Sequence, residues 1–536
     1  MAWNFGEAVE KLAEALPEDK VALAHGDRNI TYRELDAHAS GIARALKKAG
    51  LDRGAHVGHY MRNSPAYLET FYGCAKAGMT HVNVNYRYKA DELKYLLETL
   101  DMRALVYDRE FAGEVAALKD MGLDISLFIE AAPGAPVNDF ALSWDDATGG
   151  PAQAGEFTDE DVIIIATGGT TGMPKGVMWR NEDMWQAMAV HDLRQTLGEM
   201  SPPVPDDMAG HIVNMTNYQI GPRFCPLNPL MHGAAFMTAI VLLARGATVI
   251  TVPGERFDAL DALREAKRQK VELLGIVGDA FAYPLAEALD EHADEKLLEG
   301  IGSMVSSGAI WSTRNKERLL AHNPDMILID SLGSSEVGGF AMNMATKDEK
   351  PQTAKFVIGP RTQVLDDDMQ PIPAGSDQLG MLAVAGPVPL GYYGDPERSA
   401  KTFPTVNGIR YVMTGDMCSV DAEGVIGFKG RGNAMINTGG EKVFVEEVEE
   451  ALKSTPGIAD ALVVGLPHER FGQQVVAVVH TAAGATVDED VLRSKLKSRI
   501  SDYKVPRRIV ETTEPLRAAN GKADYPTAKR IAEGAA

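Results

Sequence analysis

Lysine, threonine and glycine crowd one short stretch of this chain, Thr167-Gly168-Gly169-Thr170-Thr171-Gly172-Met173-Pro174-Lys175-Gly176. Backbone N–H groups in a glycine-rich turn and threonine hydroxyls converge on an anion, and an ammonium adds a mobile charge suited to phosphate oxygens. The stretch follows Val162-Ile163-Ile164-Ile165-Ala166, an apolar run of the kind a buried parallel strand presents. No Gly-Lys-Ser/Thr stands at the Walker spacing, so the stretch is not a Walker loop. Further stretches follow in order: Ser331-Leu332-Gly333-Ser334-Ser335-Glu336, Tyr411-Val412-Met413-Thr414-Gly415-Asp416, Gly430-Arg431-Gly432-Asn433 with Gly440-Glu441-Lys442-Val443, and Asn520-Gly521-Lys522. They bring hydroxyls, single carboxylates and a C-terminal lysine to glycine-containing turns.

The elements between these stretches alternate between helical and strand patterns, which predicts α/β layers with largely parallel sheets. Helical spacing covers Tyr32–Lys48 and Ala66–Ala77, and strand-like runs include Ala104–Tyr107, Thr248–Val252 and Leu273–Val277. Phe5, Ala8, Val9, Leu12 and Leu16 recur at helical spacing near the start. Residues 355–432 change character, with short alternating runs broken by glycine and proline, which predicts an antiparallel β subdomain. A boundary is expected at 432/433, dividing an N-terminal domain over 1–432 from a small α+β domain over 433–536.

At 536 residues the chain is too long for a single core. Its formal net charge of −22 argues against a nucleic-acid partner and against electrostatic docking to anionic lipid. Cys74, Cys225 and Cys418 are far apart and form no Cys-x-x-Cys pair, which suggests neither a disulfide framework nor a zinc site. The longest apolar run, Ala234 to Ala244, is interrupted by Thr238 and too short to span a bilayer. No basic segment followed by an apolar run opens the sequence. The expected location is cytoplasmic.

Taken in order, the motifs resemble those of the adenylate-forming superfamily of acyl-CoA synthetases, luciferases and nonribosomal-peptide adenylation domains. The resemblance covers essentially the whole chain, including Thr31-Tyr32-Arg33-Glu34-Leu35. It implies a two-step reaction: a carboxylate attacks the α-phosphorus of ATP to give acyl-adenylate and pyrophosphate, and a thiol then expels AMP. Such catalysis is mainly placement and charge neutralisation.

By this resemblance, Thr167, Gly168, Gly169, Thr170, Thr171, Gly172 and Lys175 would hold the ATP phosphates. Gly308, Ser331, Leu332, Gly333, Ser335, Asp416 and Arg431 would hold adenine and ribose. Glu336 is the expected Mg²⁺ ligand, and Lys522, Glu336 and Thr170 the expected catalytic residues. His232, Ala235, Phe236, Gly278 and Ser307 would line the acyl pocket. Gly440 and Lys442 would border CoA, with Lys504, Arg507 and Arg508 as further candidates for its phosphates, and Asn433 would be the hinge. Four residues depart from the common pattern: Gly168 for Ser, Leu332 for an adenine-stacking Tyr, Ser335 for Thr, and Asn433 for Asp or Lys.

Within the superfamily the motifs are most similar to ligases for steroid side-chain and medium- or long-chain acids. The signs include Val177-Met178-Trp179-Arg180, Gly278-Asp279-Ala280 and Asn437-Thr438-Gly439-Gly440-Glu441-Lys442-Val443. The implied partners are ATP, Mg²⁺, CoA and a small carboxylic acid, with a homodimer left open. The alternatives are an acyl-AMP ligase that loads a carrier protein, a catalytically inactive nucleotide-binding homologue, and a luciferase-type oxygenase sharing the adenylation half.

Overall fold

The computed structural model describes residues 3–168, 174–188, 190–191, 201–309, 311–348, 355–376, 378–431, 435–438, 441–468, 472–482, 488–497, 499–500, 502–518 and 523–534. Among these residues the strands form three sheets, of fifteen, eight and five strands.

The local chemistry explains several element boundaries. Thr31 accepts from the Glu34 backbone while the Glu34 carboxylate reaches back to the Thr31 N–H, a capping box that starts the helix Tyr32–Lys48. Inside that helix Tyr32 is buried and its hydroxyl donates toward Leu243 O and Ala247 O at 2.9 and 2.8 Å. The next helix, Pro65–Ala77, begins at a proline whose missing N–H costs nothing in the first turn and stops at Gly78, which adopts φ +68°.

The largest sheet has two characters. Val21–His25, Thr248–Thr251, Arg223–Pro226, Leu273–Ile276, Ser303–Ser307 and Ile327–Ser334 run parallel side by side. From Gly338–Ala345 onward the pairing becomes antiparallel and continues through Lys355–Ile358, Ile426–Arg431, Asp416–Val420 and Gly380–Ala385. The antiparallel strands within 355–431 are thus hydrogen-bonded in series onto the end of the parallel sheet. Gly391–Tyr392 is the exception, because it leaves for the second sheet and pairs with Met178 and Val177.

The second sheet has a parallel centre formed by His56–Tyr60, Thr80–Asn83, Met102–Tyr107 and Leu127–Glu130. Val162–Gly168 joins it in parallel beside Thr80–Asn83, then pairs antiparallel with Pro174–Arg180. The helix Gly233–Leu243 is apolar nearly all round, and its buried residues join Phe71, Ile165 and Phe340 in one continuous core.

The third sheet belongs to the smaller C-terminal domain. Its long pair Ile458–His468 and Gly472–Thr481 alternates side chains between two cores. Ala461 and Val463 pack beneath the helices Val445–Lys453 and Glu489–Lys497, while Leu462 and Val464 face Ala528 and Ala532 of Tyr525–Gly534. No described helix is long and apolar enough to cross a membrane.

Candidate active site

Two hairpins carry the first two motifs. In one, Thr167 is the register partner of Lys175 and Gly168 of Pro174, so a strand, not a helix, carries the C-terminal end of the glycine-rich stretch. In the other, Ile327–Ser334 pairs with Gly338–Ala345 and Glu336 sits in the turn between them. Ser331, Leu332 and Gly333 thus lie on a strand, with a bulge between Leu332 and Gly333. A Cβ on Gly333 would sit 2.4 Å from Gly338 O, so only glycine permits this close approach.

The two hairpins meet. Trp179 Nε1 donates to Ser335 O at 2.8 Å, and Lys175 Nζ lies 3.5 Å from Glu336 Oε1. Tyr392, a residue with no signal in any of the sequence motifs, joins them. Lys175 Nζ donates to Tyr392 Oη at 2.9 Å, and Tyr392 Oη donates to Glu336 Oε1 at 2.7 Å. Burial and the Glu336 charge push the phenol upward, which keeps its proton in place as a donor.

The acyl-pocket candidates approach from the other side. Gly233 starts its helix so close to Ser335 that an added Cβ would stand 2.9 Å from Ser335 Oγ. His232 precedes it as the N-cap residue, and Ala235 and Phe236 are buried one turn on. Asn83 fastens this segment to the phosphate hairpin: its Nδ2 donates to Ala166 O and Met231 O, and its Oδ1 accepts from Ala166 N. Sequence reasoning passed over Asn83, because both partners lie far along the chain. Behind Phe236, the ring of His81 stacks at 4.5 Å. His81 in turn contacts buried His59 at 3.0 Å between Nδ1 atoms, and burial drives both imidazoles toward the neutral form.

Parallel register places the remaining candidates. Ser307 stands beside Ser331, and Ser306 beside Asp330, at the C-terminal ends of adjacent strands. Ligands gather there in open α/β sheets. The Ser306 hydroxyl accepts from Gly278 N at 2.8 Å, and Gly278 and Gly308 adopt φ +47° and +92°. Beneath them the buried pair Lys316–Asp330, 2.8 Å apart, anchors the strand. Asp416 is buried, accepts from Thr414 Oγ1, and is the register partner of Arg431.

Gly169, Thr170, Thr171, Gly172, Asn433, Gly440 and Lys522 lie outside the described residues. Lys442 is on the strand Glu441–Phe444. Lys504 is engaged by Glu447, at 2.7 and 2.8 Å to its two carboxylate oxygens, and Arg508 donates to Ala532 O. A cavity of about 650 Å³ opens where Arg62, Arg87, Lys89 and Arg256 meet Tyr86 and Phe281. Its wall at Pro226–Pro229 leads into the His232 segment, and Asn63 holds that wall through Pro226 O, Asn228 O and Leu230 N.

Residues 9–393 match the model of the AMP-binding enzyme family, and residues 447–522 match that of the AMP-binding enzyme C-terminal domain. The chain belongs to the AMP-binding enzyme family. Among relatives of this AMP-binding enzyme, a 3-oxocholest-4-en-26-oate–CoA ligase of Rhodococcus rhodochrous is 37% identical, over 99% of this chain and 96% of its own. A medium/long-chain-fatty-acid–CoA/3-oxocholest-4-en-26-oate–CoA ligase of Mycobacterium tuberculosis is 36% identical, over 99% and 97%. Among solved structures, the anthranilate CoA ligase AuaEII in complex with anthranoyl-AMP superposes with a TM-score of 0.82 at 22% identity, covering 100% of this chain and 98% of that one. The benzoate CoA ligase of Burkholderia xenovorans LB400 gives 0.81 at 20% identity, covering 98% and 99%. The family and these relatives imply ATP and CoA as the nucleotide-bearing substrates of the AMP-binding enzyme.

Proposed function

We propose that this AMP-binding enzyme is an ATP-dependent acyl-CoA synthetase for bulky, steroid side-chain or medium- to long-chain acids. The observation that carries the reading is the meeting of Lys175, on the strand Pro174–Arg180, with Glu336, in the turn after Ile327–Ser334, beside the buried start of Gly233–Leu243. One charge suits phosphate oxygens, the other a hard cation, and the helix offers an apolar wall for the acid. The names of the relatives support the choice of acid.

In this reading Lys175, with the hydroxyls of Thr167, Thr170 and Thr171, neutralises the β- and γ-phosphates. Asp416 accepts from the ribose hydroxyls, Arg431 donates to the same sugar, and Ser331, Leu332, Gly333, Ser335 and Gly308 surround adenine. His232, Ala235, Phe236, Gly278 and Ser307 face the acid. Its carboxylate oxygen bonds to the α-phosphorus as the bond to pyrophosphate breaks, and Lys522 bridges carboxylate and α-phosphate as charge shifts. The CoA thiolate then attacks the acyl carbon and AMP leaves with the bonding pair.

Mg²⁺ suits the donors present. Among the described residues no cluster of three or more His, Cys, Asp or Glu could hold a metal, so a cation here would depend on phosphate oxygens and water in addition to Glu336. Mg²⁺ commonly binds through one or two carboxylates plus substrate phosphates. Its charge would offset that of the departing pyrophosphate.

The cavity beside Pro226–Pro229 sets Arg87, Lys89 and Arg256 and the rings of Tyr86 and Phe281 among Glu255, Asp258 and Asp261, and its basic and aromatic side would take the phosphates and base of CoA. Gly440 and Lys442 would border its pantetheine arm, and Asn433 would be the hinge between domains over 1–432 and 433–536. Three buried free cysteines support a cytoplasmic setting. Acid-dependent exchange of labelled pyrophosphate into ATP tests the first step. Lys522→Ala should slow that exchange by about 10²–10³, the scale of one preorganised charge-stabilising donor, and sparing of thioester formation from supplied acyl-AMP is expected. Exchange independent of acid would refute the reading.

A further inference from the structure

We propose that Tyr392 is a positioning residue for the magnesium–ATP complex, its hydroxyl setting the spacing and orientation of Lys175 and Glu336. The inference rests on the proposed function, which gives those two side chains a phosphate and a cation to meet.

Three observations carry it. The first is bonding: a phenol offers one proton and two lone pairs, so it can accept from an ammonium and donate to a carboxylate at once. Tyr392 does both, at 2.9 and 2.7 Å. The second is rigidity. Tyr392 is the register partner of Val177, two residues from Lys175 on the same strand. Its N–H donates to Ser399 Oγ at 2.8 Å, and its ring packs against Phe403 at 5.3 Å between centroids. The third is contact with the charge itself: the Lys175 ammonium stands 4.3 Å from the Tyr392 ring centroid.

The hydroxyl bonds to Glu336 Oε1 and so restrains the rotation of the carboxylate. It also shares the ammonium that would otherwise swing fully onto Glu336, already only 3.5 Å away. Without the hydroxyl, Lys175 and Glu336 would close from 3.5 Å into a tighter ion pair, each offsetting more of the charge that phosphate and cation require.

The test is calorimetric titration of the full chain with Mg·ATP and, separately, with AMP. Tyr392→Phe keeps the ring and its packing on Phe403. It should weaken Mg·ATP binding about tenfold, the usual scale for losing a hydrogen bond to a charged group, and leave AMP binding within about twofold. Added to Lys175→Met, the same change should cost no more than about a further twofold, because the hydroxyl acts through the Lys175–Glu336 pair. Mg·ATP affinity unchanged in Tyr392→Phe would overturn the proposal, as would effects that multiply in the double variant. So would an equal loss of AMP binding, which marks a merely structural role. If the unaltered protein bound no Mg·ATP, the proposed function itself would fall.

Discussion

Asp416 and Arg431 stand directly opposite each other in the antiparallel pair Asp416–Val420 and Ile426–Arg431. The two ends of that pair thus bring together residues from two separate sequence motifs. A single short turn, Asp421–Gly424, closes the hairpin between them, so ladder pairing and not loop conformation determines their proximity.

The bulge at Gly333 makes a sharp prediction. Gly333→Ala would press a methyl against Gly338 O, which is backbone and cannot rotate aside. We expect a loss of about 1–3 kcal/mol in unfolding free energy, the range for overpacking, together with weakened ATP binding. Chemical denaturation and nucleotide titration of the same variant check both. A variant as stable as the parent would show that the hairpin is looser than described.

Lys316 and Asp330 form a buried pair, and Lys316 also lies 5.3 Å from the Trp311 ring. Asp330→Asn would leave a buried ammonium without its carboxylate, at a cost of about 3–5 kcal/mol. Because Asp330 is the register partner of Ser306 and precedes Ser331, loss of stability should be accompanied by loss of ATP affinity. A double change, Lys316→Met with Asp330→Leu, should recover most of the stability. Thermal melts of the single and double variants distinguish these outcomes.

Some of this arrangement was legible in the sequence, and some was not. The helix Tyr32–Lys48 follows from Thr31 and Glu34 at capping spacing, and Pro65 advances the next helix by one residue relative to its apolar periodicity. The phosphate hairpin was announced by its glycines and threonines, but not its strand-to-strand form, because an apolar run of five residues is silent about what it pairs with. Alternation over 355–432 indicated antiparallel strands without revealing that they extend the parallel sheet. Tyr392 and Asn83 were invisible for the same reason: Tyr392 reaches Lys175 across 217 positions, and Asn83 reaches Met231 across 148. Their role comes from tertiary contact, which local pattern does not encode.

The buried histidines predict a pH dependence. Burial lowers His59 from 6.5 to about 3, so the folded protein keeps it neutral while the unfolded chain protonates it below about pH 6.5. A depressed folded value means stability is full above about 6.5 and is lost as pH falls toward about 3. The slope is up to about 1.4 kcal/mol per pH unit. In His59→Leu that contribution disappears, so the difference between parent and variant should shift by this amount per unit of acidification. Asp108, raised to about 7 by burial, titrates with the opposite sign in both proteins and cancels from the difference. Denaturant unfolding at pH 7.5 and 5.5 reads it, and parallel curves would mean that His59 takes up a proton in the fold.

The central claim is met most directly by product analysis of the purified protein with ATP, CoA and acids from acetate to octadecanoate, with benzoate and a steroid side-chain acid alongside. AMP and pyrophosphate should appear only with an acid, and thioester only with CoA. The value of kcat/KM should rise with chain length, as each buried methylene contributes about 0.8 kcal/mol, until the pocket is full. ADP as the nucleotide product, or a preference for acetate or benzoate, would contradict the account.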